Sequence, residues 1–196
     1  REMIDEINYQ IDLYSRLRFT QWELENFAKK DFLKGDYIGF LKRYTIDRKE
    51  IECSFDEEIQ QPSIHFRGYN VDVSYHEVPV MAIVSEVWFR MSYTEEQQKE
   101  IIEAAKTRFR EKLDKLLKGE IAIGAFSEFG TRRRFCKEFQ EWAISELLKY
   151  QYKGTKFVGT SNVYLAFKLG TLAGGTMAHE AIELGGPGCP FHTPAY

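Results

Sequence analysis

Three short stretches carry residue types and spacings that could do chemistry. The first, Phe126-Ser-Glu-Phe-Gly-Thr-Arg-Arg-Arg134, places three arginines behind a Gly-Thr step. An apolar run before it reads as a strand and an amphipathic run after it as a helix, so the arginines are expected at a helix N-terminus. There the free N–H groups, the positive end of the helix dipole, the Thr131 hydroxyl and Arg132, Arg133 and Arg134 would form an anion site suited to phosphate or diphosphate. Cations at that end oppose the dipole, which favours an anionic ligand that neutralises them. A solvated basic turn with one arginine packed on the strand is the alternative. The second stretch, Phe157-Val-Gly-Thr-Ser-Asn162, is another strand-to-helix junction. Gly159 permits close backbone approach, and Thr160, Ser161 or Asn162 can cap the helix. Capping alone accounts for the pattern. The functional alternative points Ser161 and Asn162 into a cleft at the carboxyl ends of the strands, where α/β proteins bind ligands. The third, Gly174-Gly-Thr-Met-Ala-His-Glu180, makes His179 a candidate nucleophile or proton carrier. Imidazole can take a phosphoryl group and a neighbouring carboxylate can fix its tautomer, although a lone histidine is more often structural. His65, His76 and His192 receive no role, and Phe129, taken alone, reads as core.

The elements that must hold these stretches follow from periodicity. Ile4, Ile7, Ile11, Tyr14 and Leu17 recur at helical spacing, and Thr20 to Glu23 is a capping box, so the first 44 residues are predicted to be mostly helical. Ile51, Cys53 and Phe55, then Ile64 and Phe66, then Val71, Val73 and Tyr75 alternate with polar residues, which predicts a small antiparallel sheet. A buried helix is expected from about Pro79 to Met91. Thr94 to Gln97 is a second capping box and opens a long amphipathic helix that Gly119 should end. From Ile121 the rhythm becomes short apolar run, turn, helix: Ile121 to Phe126, a helix with Phe135, Phe139, Trp142 and Leu147, Lys156 to Val158, and Val163 to Leu169. That alternation reads as parallel α/β. Trp88, Phe89, Phe109, Phe139 and Trp142 fall at helical spacing and are expected in the core or packed between helices.

The 196 residues suffice for one sizeable α/β core or for part of a larger protein. Hydrophobic residues at 43% and charged residues at 29% are ordinary globular values and exclude a disordered chain. A net charge of -3 gives no general basic footprint, and the arginine cluster lacks a wider basic face, so no nucleic-acid partner is expected. The longest apolar stretch, Val78 to Phe89, is broken by Pro79, Ser85 and Glu86, which argues against a membrane partner. Cys53, Cys136 and Cys189 show no CxxC spacing, so neither a disulfide framework nor a zinc site is expected, and a reducing cytoplasm is the default location. The mixed-charge start, without Met at position 1, does not resemble a signal peptide and is compatible with a chain that begins mid-protein.

Taken together and in order, Glu128-Phe-Gly-Thr-Arg-Arg-Arg134, Gly159-Thr-Ser-Asn162 and Gly175-Thr-Met-Ala-His-Glu180 resemble the central part of bacterial nicotinate phosphoribosyltransferases. Glu77-Val-Pro-Val-Met-Ala-Ile-Val-Ser-Glu86 is similar to the helix that precedes them there, and the resemblance covers roughly residues 1 to 182. It implies an α/β chain of the type II phosphoribosyltransferase fold, with a helical and antiparallel-sheet α+β segment over 1–118 and a partial irregular α/β barrel over 119–182, while 183–196, without periodicity and rich in Gly and Pro, reads as an irregular tail that departs from the family. The activity implied is transfer of phosphoribosyl from phosphoribosyl diphosphate to nicotinate in NAD biosynthesis, with Mg2+, and with ATP hydrolysis coupled through a phosphorylated histidine. In that resemblance His179 matches the phosphorylated histidine, Phe129 the aromatic on the pyridine ring and Arg132 the pocket arginine; Thr131, Arg133, Asn162 and Thr176 fall beside them. Ser161 stands where relatives that use nicotinamide carry an acid, and a hydroxyl suits a carboxylate substrate. The family's upstream substrate element and downstream glycine-rich segments are not matched, so a homo-oligomer, most simply a dimer, is expected to cover the exposed edges. Transfer to nicotinamide or quinolinate, and a non-catalytic fragment that only binds phosphate, are the alternatives.

Overall fold

A computed structural model of the protein describes residues 2–30, 33 and 35–175. His179, Thr176, Cys189 and the expected tail over 183–196 lie outside these residues. Three helices come first: α1 (Glu2–Ser15), α2 (Gln21–Ala28) and α3 (Gly35–Arg43). Ile7 and Ile11, one helical turn apart on α1, are fully buried with Ile4 and Tyr14 packed against them, so this part of the apolar stripe is the face that packs, whereas Leu17 lies past the end of the helix and is exposed. Thr20 and Glu23 form the expected reciprocal capping box on α2.

The hairpin β1 (Ile51–Asp56) and β2 (Gln61–Phe66) pairs antiparallel, with Ile51 opposite Phe66 and Cys53 opposite Ile64. Asp56 holds the turn, its carboxylate accepting from the Glu58 and Ile59 amides at 2.9 and 3.2 Å. The expected third strand is absent among the described residues. Residues 70–73 form a single helical turn, α4 (Asn70–Val73), in which the Val73 amide donates to the Tyr69 carbonyl and the Ser74 amide to that of Asn70. Five residues of alternation fit either period, and here the local i to i−4 bonds prevail over a third ladder.

Next, α5 (Glu77–Ser92) buries Val80, Ala82, Val87 and Phe89, and α6 (Glu95–Leu117) opens on the Thr94 to Gln97 capping box. Gly119, at φ 74°, ends α6: its amide donates to the Leu116 carbonyl and that of Glu120 to Lys115, which satisfies the last carbonyls. Trp88 departs from the expected core or helix-packing place: it is half-exposed with its ring edge-on to Tyr93, because Val80 and Val87, seven residues apart, define the inward face of α5 and Trp88 sits one position off it.

The second half is parallel α/β. Strands β3 (Phe126–Glu128), β4 (Phe157–Thr160) and β5 (Leu172–Ala173) run parallel in that order, with α7 (Lys137–Tyr152) and α8 (Val163–Leu169) as crossovers. Strand β3 is shorter than expected: 121–125 stay irregular because pairing with β4 begins at Phe126, and Ile121 and Ile123 are exposed. No closed barrel is present among the described residues. Gly159 is required by close packing, because a Cβ there would lie 2.1 Å from the Leu172 carbonyl oxygen of β5. One core joins Ile7, Ile11, Ile51, Val80 and Val87; another joins Leu113, Ile144, Leu147, Tyr150, Phe157 and Leu165. No described helix is long and apolar enough to cross a membrane.

Candidate functional site

Where these cores meet, a cleft of about 830 Å3 opens between α1 and α5 on one side and the loops after β3 and β4 on the other. It lies at the carboxyl ends of the parallel strands, the usual ligand position in open α/β sheets. Of the residues singled out by sequence, Phe129, Thr131, Arg132, Ser161 and Asn162 all line it. Phe129 is half-exposed on the cleft wall, so the expectation that it packs in the core does not hold: the strand ends at Glu128 and Gly130 turns the chain away from the sheet. Arg133 is exposed and does not line the cleft.

The arginines also depart from expectation. Thr131–Arg133 form a 3-10 turn, and α7 begins only at Lys137, capped by Cys136, whose sulfur accepts from the Phe139 amide at 3.4 Å. The three cations therefore do not stand on a helix N-terminus. Two are neutralised by carboxylates of α5: Arg132 pairs with Glu77, and Arg134 Nε donates to Glu86 at 2.6 Å. Ser85 fastens the same turn, its hydroxyl donating to the Arg134 carbonyl at 3.0 Å. The Arg132–Glu77 pair is about half-exposed on both sides, so it holds the guanidinium weakly and leaves it available to a stronger anion. Burial pushes the Cys136 thiol up, opposed by the Phe139 amide, which keeps it a neutral cap and not a reactive thiolate.

Behind the cleft wall runs a buried polar network that sequence reasoning missed. Gln140 of α7 is almost wholly buried, and its Nε2 donates to both Glu128 oxygens at 3.2 Å and to the Thr131 hydroxyl at 2.8 Å. Its Oε1 accepts from Arg134 at 3.1 Å and from Asn162 at 3.4 Å. Glu128 also accepts the Gly130 amide and, at 2.6 Å, the hydroxyl of fully buried Thr160. Asn162 caps α8, its Oδ1 accepting from the Leu165 amide at 3.1 Å, while its Nδ2 reaches Thr131 at 3.3 Å. A signal existed in the sequence: Gln140 falls on the same α7 stripe as Ala143, Ile144 and Leu147, and a polar side chain on a buried stripe needs partners. Lys137, poised 5.1 Å over the Tyr164 ring, is a cleft cation without a carboxylate partner among the described residues. No group of three or more His, Cys, Asp or Glu arranged to hold a metal occurs among the described residues.

This geometry defines a mixed α/β protein in which a cleft lined by cations and an exposed aromatic ring faces the carboxyl ends of a short parallel sheet. The chain belongs to the nicotinate phosphoribosyltransferase family. Residues 1–85 match the nicotinate phosphoribosyltransferase N-terminal domain, and residues 125–185 match the nicotinate phosphoribosyltransferase family. Its relatives include the nicotinate phosphoribosyltransferases of Chromobacterium violaceum, 37% identical over 189 residues, and Ectopseudomonas mendocina, 39% identical over 179. These alignments cover 93% and 89% of this chain but 45% and 43% of the relatives, so the chain spans somewhat under half their length. Among solved structures, nicotinate phosphoribosyltransferase from Porphyromonas gingivalis superposes with a TM-score of 0.77 at 31% identity, covering 94% of this chain and 45% of that one. The Vibrio cholerae protein of the same name gives 0.79 at 27% identity, covering 91% and 42%.

Proposed function

We propose that the chain acts in nicotinate phosphoribosyl transfer, forming nicotinate mononucleotide and diphosphate from nicotinate and phosphoribosyl diphosphate. The observation that carries this is the placement of an exposed Phe129 ring beside Arg132, Thr131 and Ser161 in one cleft at the strand ends. A flat aromatic acid stacks on the ring while its carboxylate meets hydroxyls and N–H donors. Arg132 and Lys137 receive the diphosphate, whose departure needs its developing charge stabilised. Ser161, neutral where an acid would hold an amide, favours nicotinate over nicotinamide. Coupling to ATP through His179, and a part for Thr176, belong to the same proposal and rest on the resemblance of the third motif, which lies outside the described residues.

Mg2+ is proposed as a companion of phosphoribosyl diphosphate. The described cleft carboxylate Glu86 is already engaged by Arg134, and Glu128 by three donors, so the described residues do not form a ligand set for the ion and no step is routed through it. We further place the protein in the cytoplasm and as a homodimer or other homo-oligomer. The exposed apolar side chains of Leu17, Trp88, Ile123 and Leu172 support an assembly, and sedimentation as a monodisperse monomer counts against it.

Calorimetric titration with nicotinate, and separately with phosphoribosyl diphosphate plus Mg2+, tests the site, followed by an assay for nicotinate mononucleotide with ATP. Phe129→Ala is expected to weaken nicotinate roughly tenfold through lost stacking. Arg132→Ala should weaken phosphoribosyl diphosphate by about ten- to a hundredfold. Affinities unchanged in both variants would place the substrates elsewhere.

A further inference from the structure

The hydrogen-bond network behind the cleft fixes the direction of a proton. Glu128 accepts from the Gly130 amide and from the Thr160 hydroxyl, which itself accepts the Asn162 amide at 3.0 Å and so must donate onward. A carboxylate surrounded by donors needs the amide nitrogen of Gln140 on its side, and the Arg134 guanidinium, which only donates, needs the amide oxygen on the other. Gln140 is thus locked in one orientation from both ends. Asn162 is locked too, because its Oδ1 caps the Leu165 amide and leaves Nδ2 to face Thr131. Both amides therefore donate to the Thr131 oxygen, at 2.8 and 3.3 Å, and occupy its two lone pairs. The hydroxyl proton of Thr131 meets no acceptor among the described residues, and Thr131 lines the cleft.

We propose that Gln140 is a positioning residue which, through its hydrogen bond to Thr131, commits the Thr131 hydroxyl to donating into the cleft, so that this point takes an anionic oxygen acceptor. The acceptor is a carboxylate or a phosphate oxygen, and an N–H group at the same point meets a hydroxyl with no lone pair free. The preference at this point for an acceptor oxygen over an N–H group thereby originates in α7, behind the pocket wall and out of contact with ligand, since Gln140 itself does not line the cleft. The inference rests on the function proposed above.

The test is a double-mutant cycle on the full chain, read by calorimetry with nicotinate and with phosphoribosyl diphosphate plus Mg2+. Thr131→Val removes the donor at constant shape and should lower affinity about tenfold or more for the ligand whose oxygen it meets, while Thr131→Ser retains it. A loss confined to nicotinate assigns the carboxylate; a loss confined to phosphoribosyl diphosphate assigns a phosphate oxygen. Gln140→Met should weaken the same ligand when Thr131 is present and add nothing in the Thr131→Val background, whereas an equal loss in both backgrounds overturns the positioning role. Thermal melting checks that each variant is folded. Should Gln140→Met not fold, Thr131→Val decides alone: unchanged affinity for both ligands overturns the proposal. If the unaltered chain binds neither ligand, the proposed function fails with it; if the unaltered chain binds and Thr131→Val binds equally, only the present inference fails.

Discussion

Two buried polar clusters invite comparison. In the helix and hairpin region, His76 is fully buried with one ring nitrogen 3.3 Å from the Tyr14 hydroxyl and the other 3.0 Å from Glu50. In the parallel-sheet region, Gln140 is buried among Glu128, Thr131, Arg134 and Asn162. Both obey the rule that buried polar groups are hydrogen-bonded. They differ in where the bonds end. The His76 ring has both nitrogens engaged by the protein, and burial, with Tyr44 nearby, pushes the Tyr14 phenol well above its ordinary range. In the Gln140 cluster the side-chain oxygen and nitrogen of Gln140 and of Asn162 and both oxygens of Glu128 are engaged, and the Thr131 hydroxyl proton at the cleft meets no acceptor among the described residues. A closed cluster fixes packing; a cluster left open at one directed group prepares a site.

The largest effects are expected in the two apolar cores behind these clusters. Ile7→Ala and Ile144→Ala each delete a fully buried side chain and should cost about 3 to 4 kcal/mol in urea denaturation. Because α5 packs on α1 and also anchors the arginine turn, both variants should lower one common transition. Two resolved transitions would show that the regions fold apart. His76→Leu is expected to cost about 2 to 3 kcal/mol by leaving Glu50 without its partner, yet to leave nicotinate affinity unchanged. Loss of binding in a folded His76→Leu protein would move that cluster into the site.

What was legible in the sequence is what short range determines. Both capping boxes, the Gly119 stop and the α1 stripe from Ile4 to Tyr14 involve residues within a turn or two of each other and form as expected, while Leu17 falls past the end of α1 and is exposed. Local motifs also point to Thr131, Arg132, Ser161 and Asn162, which meet in one cleft, whereas the cleft position of Phe129 follows from the family resemblance and not from its own stretch, which reads as core. The misses need distance. Whether Val71 to Tyr75 makes a strand depends on a partner strand, and whether 121–125 joins the sheet depends on where β4 begins. The arginine stretch reads as a helix start because nothing within it shows Glu77 and Glu86 on α5, about fifty residues upstream. The role of Gln140 is hidden in its own stretch for the same reason, its partners spanning residues 128 to 162.

A smaller effect sharpens the contrast at the cleft. Glu77→Gln removes the exposed partner of Arg132, so stability should change by less than about 1 kcal/mol. Affinity for phosphoribosyl diphosphate should rise, because the freed guanidinium no longer chooses between two anions; unchanged affinity in calorimetry would show that Arg132 serves α5 and not the ligand.

The smallest effect concerns pH. Glu146 of α7 is buried, with Lys149 Nζ at 2.5 Å and Arg110 Nε of α6 at 3.2 Å. Hydrogen bonding from Lys149, with further help from Arg110 and against the cost of burial, holds its carboxyl below the ordinary range. The folded protein then binds this proton less readily than the unfolded chain does. The associated stability is complete above the unfolded carboxyl value of about 4.3 and declines as pH falls through the lower folded value. Both cations are half-exposed or more, so the contribution stays under about 1 kcal/mol. Glu146→Gln should lower the urea midpoint at neutral pH and approach the unaltered protein in acid. Parallel loss at every pH would show that Glu146 contributes by packing α6 on α7, which is the role the closed His76 cluster plays in the other region.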